Sequence, residues 1–331
     1  MPAILSVTVP FFALVLCGYL AGRLRALPEA AIPGLNVFVL FFALPCMLFR
    51  FGAQTPVARL LNPALLGVYA AAALAVVALT VAVARAGGPG RAVNLRDAAF
   101  GALVAAFPNT GFMGMPLLTA LLGTAAAAPV MVTLLVDLIL TTSVCLAVAQ
   151  LHGSAHLPWG ARAREATRGP LRNPQPWAIG LGALFSAAGW RLPQALDKVV
   201  ELLAGAATPV ALFTIGAVLW RAGLQARRAD ADAPPPSARD FMPVALVKLF
   251  VHPAAVFVLG SVARAAGAPL TSFELMVLTL AAALPSASNV SLLAERFHAD
   301  TGRVARIILA STVLAFFSFS GLATWLGASS G

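Results

Sequence analysis

Polar residues along this chain come in short bursts between long apolar runs, and the runs are apolar on every side rather than along one helical stripe. Ten such runs stand near 3–22, 33–51, 62–85, 97–122, 126–151, 174–190, 196–220, 240–264, 270–295 and 303–327. A membrane-crossing helix needs about 20 mostly apolar residues. The pattern therefore predicts an all-α integral membrane protein with about ten transmembrane helices. The sixth run is short, and the fourth and ninth are interrupted by proline and polar residues. Division near residue 160 leaves five runs on each side, and an odd number makes the second half enter the membrane from the opposite face. That is the arrangement of an inverted-topology repeat. The predicted organisation is a first five-helix repeat over 1–152, a cytoplasmic linker over 153–173 and a second five-helix repeat over 174–331.

The interruptions are informative. The fourth run carries "AAFPNTGFMGMPLL" (105–118) and the ninth "AAALPSASNVSLLAERF" (281–297). Both put a proline followed by polar residues at mid-span: Pro108, Asn109 and Thr110 in one, Pro285, Ser286, Ser288 and Asn289 in the other. Proline lacks an N–H and clashes with the preceding turn, so the helix breaks there. Gly111 and Gly114 allow backbone to pass close to backbone. Unpaired backbone groups are costly in lipid, so such breaks persist only when buried in protein or lining a water-filled cavity. The N-termini of half-helices carry free N–H groups and partial positive charge, which suit an anion, whereas unwound carbonyls suit a cation. The alternative is a pair of structural kinks; the matching positions and the flanking asparagines and serines favour a binding site.

Composition agrees with a membrane protein: 60% apolar and 10% charged residues, with a mean hydropathy of +0.90. The formal charge of +10 follows topology rather than a nucleic-acid surface. Of the 22 Lys and Arg residues, 16 fall in the odd-numbered connections, 5 in the even-numbered ones, and Lys248 inside a span. Cytoplasmic loops carry the excess, which predicts odd connections in the cytoplasm and both termini outside the cytoplasmic membrane. No Lys or Arg precedes Arg23, so the first run reads as a retained span rather than a cleaved signal. The proline-rich stretch within 221–239 reads as a second cytoplasmic linker.

Two charges lie deep within runs. An ionisable residue at membrane depth suggests function. Asp137 ("LLVDLIL") reads either as a structural hydrogen-bond acceptor or as a proton or sodium site. Lys248 reads either as a cavity-facing cation or as a side chain snorkelling to the interface. His252 shares its helix face and titrates near neutral pH in its ordinary state. The three cysteines, Cys17, Cys46 and Cys145, show no metal or disulfide spacing and read as packing residues.

The motifs "PNTGFMGMP" (108–116), "LPSASNVSLLAERF" (284–297), "ALPCMLF" (43–49), "ATPVALFTIGAVL" (207–219) and "VKLFVHP" (247–253) resemble the auxin efflux carrier family, whose bacterial branch includes malate and malonate permeases. The resemblance implies ten spans in two inverted five-span repeats, similar to bile-acid-symporter and sodium/proton-antiporter architecture. It also implies that the broken fourth and ninth spans cross at the substrate site, that a transport domain moves against a scaffold in an elevator-like manner, and that the substrate is a small organic anion. Pro108, Asn109, Pro285 and Asn289 occupy the matching crossover positions. The short linker between repeats departs from plant members and favours a prokaryotic carboxylate transporter.

The expected function is thus secondary transport of a small organic anion, a mono- or dicarboxylate such as malate or malonate or an auxin-like acid, with the lipid bilayer as environment, proton or sodium as the candidate coupling ion and a homodimer as the candidate assembly. A channel or solute sensor on the same scaffold is the alternative. No P-loop is present, which argues against ATP drive, and no HExxH occurs among the scattered histidines, which argues against a zinc-dependent intramembrane enzyme. No cofactor, metal or nucleic acid is expected.

Overall fold

The computed structural model describes residues 2–86, 93–151, 173–229 and 237–328. These residues form helices and no strand. The first part of the chain gives α1 (Pro2–Arg23), α2 (Ala31–Phe38), α3 (Leu44–Gln54), α4 (Val57–Leu60), α5 (Pro63–Arg85), α6 (Leu95–Ala106), α7 (Met115–Leu122), α8 (Ala127–Leu135) and α9 (Thr142–Gln150). The second part gives α10 (Pro174–Ala188), α11 (Gln194–Ala229), α12 (Ala238–Leu246), α13 (His252–Ala265), α14 (Ser272–Ala282), α15 (Val290–Arg296) and α16 (Thr301–Trp325). Several join end to end, so seven continuous helices are long and apolar enough to cross a membrane: Ile4–Arg23, Ala31–Gln54, Val57–Arg85, Thr124–Gln150, Gln194–Leu224, Ala238–Ala265 and Thr301–Trp325. The runs near 97–122, 174–190 and 270–295 supply shorter pieces. The first and last of these are broken where the prolines stand.

The joints have a local cause. Three π-helical turns, Val39–Ala43, Thr110–Gly114 and Val247–Val251, each end two residues before a proline, Pro45, Pro116 and Pro253. A proline ring would strike the carbonyl four residues earlier, and a widened turn relieves that clash without ending the helix. A fourth π turn, Val136–Thr141, has no such proline; there Thr142 Oγ1 donates to the Asp137 carbonyl at 2.8 Å. The proline-rich part of the 221–239 stretch, 230–236, lies outside the described residues. α11 continues to Ala229, because "RAGLQARRA" is made mostly of strong helix formers. Apart from Asn173, the 153–173 linker lies outside the described residues.

Two groups of helices can be distinguished by how they pack. In one, backbones touch at glycines. A methyl group at Gly18 would meet the Phe213 carbonyl, and one at Gly216 the Val15 carbonyl, so α1 and α11 cross at contact distance. Gly52 and Gly182 do the same for α3 and α10, facing Ile179 and Phe49 backbone. Small residues permit this close approach, which is how helices gain contact where lipid offers no hydrophobic drive. The second group gathers α5, α6, α9, α12, α13, α14 and α16. Its α6, α12 and α16 are tied at one end by Arg303. The Arg303 guanidinium donates to the carbonyls of Asp240 (2.9 Å) and Asp97 (3.2 Å), and Asp300 N donates to Asp97 Oδ1 at 2.7 Å. Arg303 was counted with the loop charges; it is in fact largely buried. Large apolar side chains such as Leu16, Phe42, Val83, Leu202, Phe250 and Phe317 point outward, the surface of a protein solvated by lipid.

Candidate functional site

The two broken runs meet. Phe107 precedes Pro108 and is therefore pushed to an extended backbone, φ −104° and ψ 95°. The chain resumes helix at Thr110. In the second run α14 stops at Ala282 and α15 starts at Val290. The extended segments between pass each other antiparallel, bridged at Pro108 and Ser286. Asn109 N donates to the Pro285 carbonyl at 2.8 Å, and Ala287 N donates to the Phe107 carbonyl at 3.0 Å. Ser286 Oγ donates to the Val104 carbonyl at 2.9 Å, and Ser311 Oγ, on α16, lies 3.1 Å from Ser286 Oγ. Each break thus satisfies the backbone groups that the other leaves free, which is what makes non-helical backbone tolerable at this depth.

A small cavity adjoins the crossing, with a volume of about 10 Å³, room for roughly one water. Leu44 of α3 and Gln175 of α10 wall it on one side; Asn109, Gly111, Phe112, Leu134 and Asn289 wall it on the other. The two asparagines behave unlike their counterparts elsewhere. Asn62, Asn94 and Asn173 precede helices and cap them, each accepting a backbone N–H through its side chain. Asn109 and Asn289 hold the same position before Thr110 and Val290, yet neither side chain makes a cap. Asn289 Oδ1 is buried without a partner among the described residues. A buried amide oxygen left open costs about 1–3 kcal/mol, so an unfilled acceptor beside a cavity marks a place for a donor, from a ligand or from water. The first-turn N–H groups after the break, at Gly111 and Phe112, have no preceding helical carbonyl and border the same space.

One helical turn behind Leu134 lies a second polar cluster. Asp137, Lys248 and His252 all have 0% exposure. Tyr69 donates to Asp137 Oδ2 at 2.9 Å and Thr141 to Oδ1 at 3.2 Å. Lys248 Nζ donates to the Ala282 carbonyl at 2.5 Å and approaches His252 Nδ1 at 3.3 Å. Ala282 is the last residue of α14, so the ammonium sits on the negative end of a half-helix at the second break. Lys248 and Asp137 lie within electrostatic reach of each other. Lys248 accordingly does not snorkel. Its stem runs inward, and its charge is spent inside the protein. Asp137 is hydrogen-bonded by Tyr69 of α5 and by Thr141, one turn along its own helix.

Of the residues read from the sequence, Pro108, Asn109, Gly111 and Asn289 border the cavity. Thr110, Pro285, Ser286 and Ser288 are held in the crossing itself, where Ser288 accepts from Ser291 Oγ at 2.7 Å. Asp137, Lys248 and His252 form the neighbouring cluster. Sequence reasoning missed Gln175, which is 3% exposed. The signal available was a polar side chain at the start of a span too short to begin at the membrane surface.

A bundle that is helical throughout the described residues, with apolar outer faces, two crossing breaks and a small polar cavity beside them, fits an integral membrane transport protein. The sequence agrees. Residues 3–158 and 161–323 match the family described as membrane transport protein, the auxin efflux carrier family of the resemblance, and the chain belongs to it. Among relatives, it is 26% identical over 322 residues to the "Putative malonate transporter" of Rhizobium meliloti (strain 1021), covering 97% of this chain and 95% of that one. It is 26% identical over 327 residues to "Uncharacterized transporter YfdV" of Escherichia coli (strain K12), covering 93% and 92%. It is 23% identical over 260 residues to "Auxin efflux carrier component 8" of Arabidopsis thaliana, covering 64% and 71%. Membership of a transport family points away from catalysis.

Proposed function

We propose that this protein is a secondary active transporter of a small organic anion, a mono- or dicarboxylate such as malonate or malate, in the cytoplasmic membrane. The observation that carries the reading is the pair of uncapped asparagines, Asn109 and Asn289, facing one cavity at the crossing of two half-helices. Amide N–H groups and helix N-termini offer donors and partial positive charge to a carboxylate. The name of the Rhizobium meliloti relative agrees with that class.

The chain is taken as ten spans in two inverted five-span repeats. Exchanging each span with the one five places later exchanges the pair α1–α11 with the pair α10–α3, and both pairs are the ones that cross at glycines. The crossing of α6 with α14 maps onto itself. The glycine-locked group then serves as scaffold and the group bearing the breaks and buried charges as the moving domain, which supports an elevator-type cycle. The cavity lies where such a cycle needs it, with Leu44 and Gln175 on the scaffold side and the asparagines on the other. Its present size holds no dicarboxylate, so substrate entry requires the two groups to part. The termini are assigned outside, as the arginine distribution favours.

For coupling, the carbonyl end of α14 is the place where an unwound backbone would take a cation, and Lys248 already fills it with a tethered one. That favours proton coupling through Asp137, Lys248 and His252 over sodium. The test is counterflow of radiolabelled malonate and malate in proteoliposomes. Wild type is expected to show saturable counterflow, and Asn109→Ala and Asn289→Ala a loss of ten-fold or more, equivalent to one hydrogen bond of about 1.4 kcal/mol. Non-saturating flux would indicate a channel. Undiminished counterflow in both variants would sink the site.

A further inference from the structure

A second, larger cavity of about 540 Å³ lies farther along the same helices. α3 contributes Leu44 to the small cavity, and Met47, Arg50 and Gln54 to the large one. The second half of the fourth run contributes Gly111 and Phe112 to the first, then Pro116 and Thr119 to the second. Leu44 to Arg50 is six residues, roughly 9 Å of helix. The two cavities are therefore successive stations between the same walls. Thr124 and Thr208 complete a polar fringe. The volume falls in the range of small-molecule sites, about 300–1,000 Å³.

Arg50 is the cation that lines this cavity. It is half-buried, and no carboxylate lies within 4 Å of it, since the ion pair found among the described residues is Lys198–Glu201 at 2.9 Å. Glu201 is within electrostatic reach of Arg50 but is already held by Lys198 at 2.9 Å. A guanidinium on a low-dielectric wall attracts carboxylates and can hold one through a two-pronged pair of N–H bonds. The cavity opens toward the connections 55–62 and 123–126, away from the arginine-rich loops.

We infer that Arg50 is the anion-gathering residue of an outer vestibule, a carboxylate subsite separate from the crossing and placed directly ahead of it. The inference rests on the proposed anion transport for its physiological meaning, but not for its test. In phosphatidylcholine liposomes, which carry no anionic headgroup to compete, the purified protein is treated with phenylglyoxal and adduct formation at Arg50 is followed by peptide mapping. Millimolar malonate is expected to slow the adduct at least five-fold, neutral malonamide to leave it unchanged, and the protection to survive in Asn109→Ala. Because the vestibule gathers by charge, malonate suffices as probe even if it is not carried. Equal labelling with and without malonate overturns the subsite whatever transport shows. In counterflow, Arg50→Gln is expected to raise KM for outside anion about ten-fold with maximal rate within two-fold, Arg50→Lys to recover part of it, and added salt to shrink the difference. An unchanged KM also overturns it. Protection at Arg50 without any malonate counterflow would keep the subsite and reject malonate as the carried anion.

Discussion

Lys248→Met removes a buried cation and keeps the length of its stem. Two consequences can be worked from the geometry. The ammonium no longer satisfies the Ala282 carbonyl, now bonded at 2.5 Å; an orphaned buried acceptor costs about 1–3 kcal/mol. Asp137 also loses a cation within electrostatic reach, though not ion-paired with it, and keeps the hydrogen bonds from Tyr69 and Thr141. Both groups are at 0% exposure, so water does not screen the loss. The single variant is expected to lose about 2–5 kcal/mol, the carbonyl's share plus the longer-range attraction of two charges across a low-dielectric interior. Adding Asp137→Asn removes the unpaired charge while its amide still meets Tyr69 and Thr141. The double variant should therefore fall only about 1–3 kcal/mol below wild type, the cost of the Ala282 carbonyl alone. Reversible unfolding in mixed micelles, followed by tryptophan fluorescence, measures these values, and counterflow is run in parallel. Stability recovered without transport would separate the pair's role in coupling from its role in the fold. A single variant within 1 kcal/mol of wild type, or a double variant no better than the single, would refute the reasoning, since either would mean that the two charges do not compensate each other. A double variant that transports as wild type would refute the coupling role.

Gly216→Ala places a methyl against the Val15 backbone, where no rotamer can relieve it, and is expected to cost about 1–3 kcal/mol; Gly205→Ala, which meets nothing within 4 Å, should be neutral or stabilising by a few tenths, both read as shifts in thermal midpoint. Ser286→Ala removes the Oγ bonds to Val104 and Ser311 and should cost about 1–2 kcal/mol, with a Ser286/Ser311 double variant costing less than the sum because the hydroxyls share partners. Arg303→Met should cost about 2–5 kcal/mol by orphaning the carbonyls of Asp97 and Asp240 and the charge around them; a melting curve unchanged by it would show that the end staple carries no load.

What the sequence disclosed follows from range. A proline in an apolar run acts on its own helix within four residues, so the breaks at Pro108 and Pro285 were legible, and so were the runs that surround them. The pairing of those breaks was not legible from local signals, because Pro108 and Ser286 are bridged across well over a hundred residues. Periodicity placed Lys248 and His252 on one face but could not say whether that face met lipid or protein, because the helix is apolar on its other sides too. The Ala282 carbonyl decides it. Gln175 escaped because a single polar residue near a span end ordinarily reads as interface.

The asparagines show why the site, unlike the fold, needed three dimensions. Five asparagines stand just before helices or half-helices, and in sequence they are equivalent N-cap residues. At Asn62, Asn94 and Asn173 the side chain turns to its own backbone, as an N-cap does when nothing else competes. At Asn109 the backbone N–H is already engaged across the crossing with Pro285, and the side chain is released from capping. At Asn289 the preceding turns are closed by backbone bonds from Val290 to Ala287 and from Ser291 to Ser288, so the amide again has no local duty. The antiparallel passage therefore does two things at once. It makes the breaks tolerable in lipid, and it frees the two polar side chains that the break brings to the cavity.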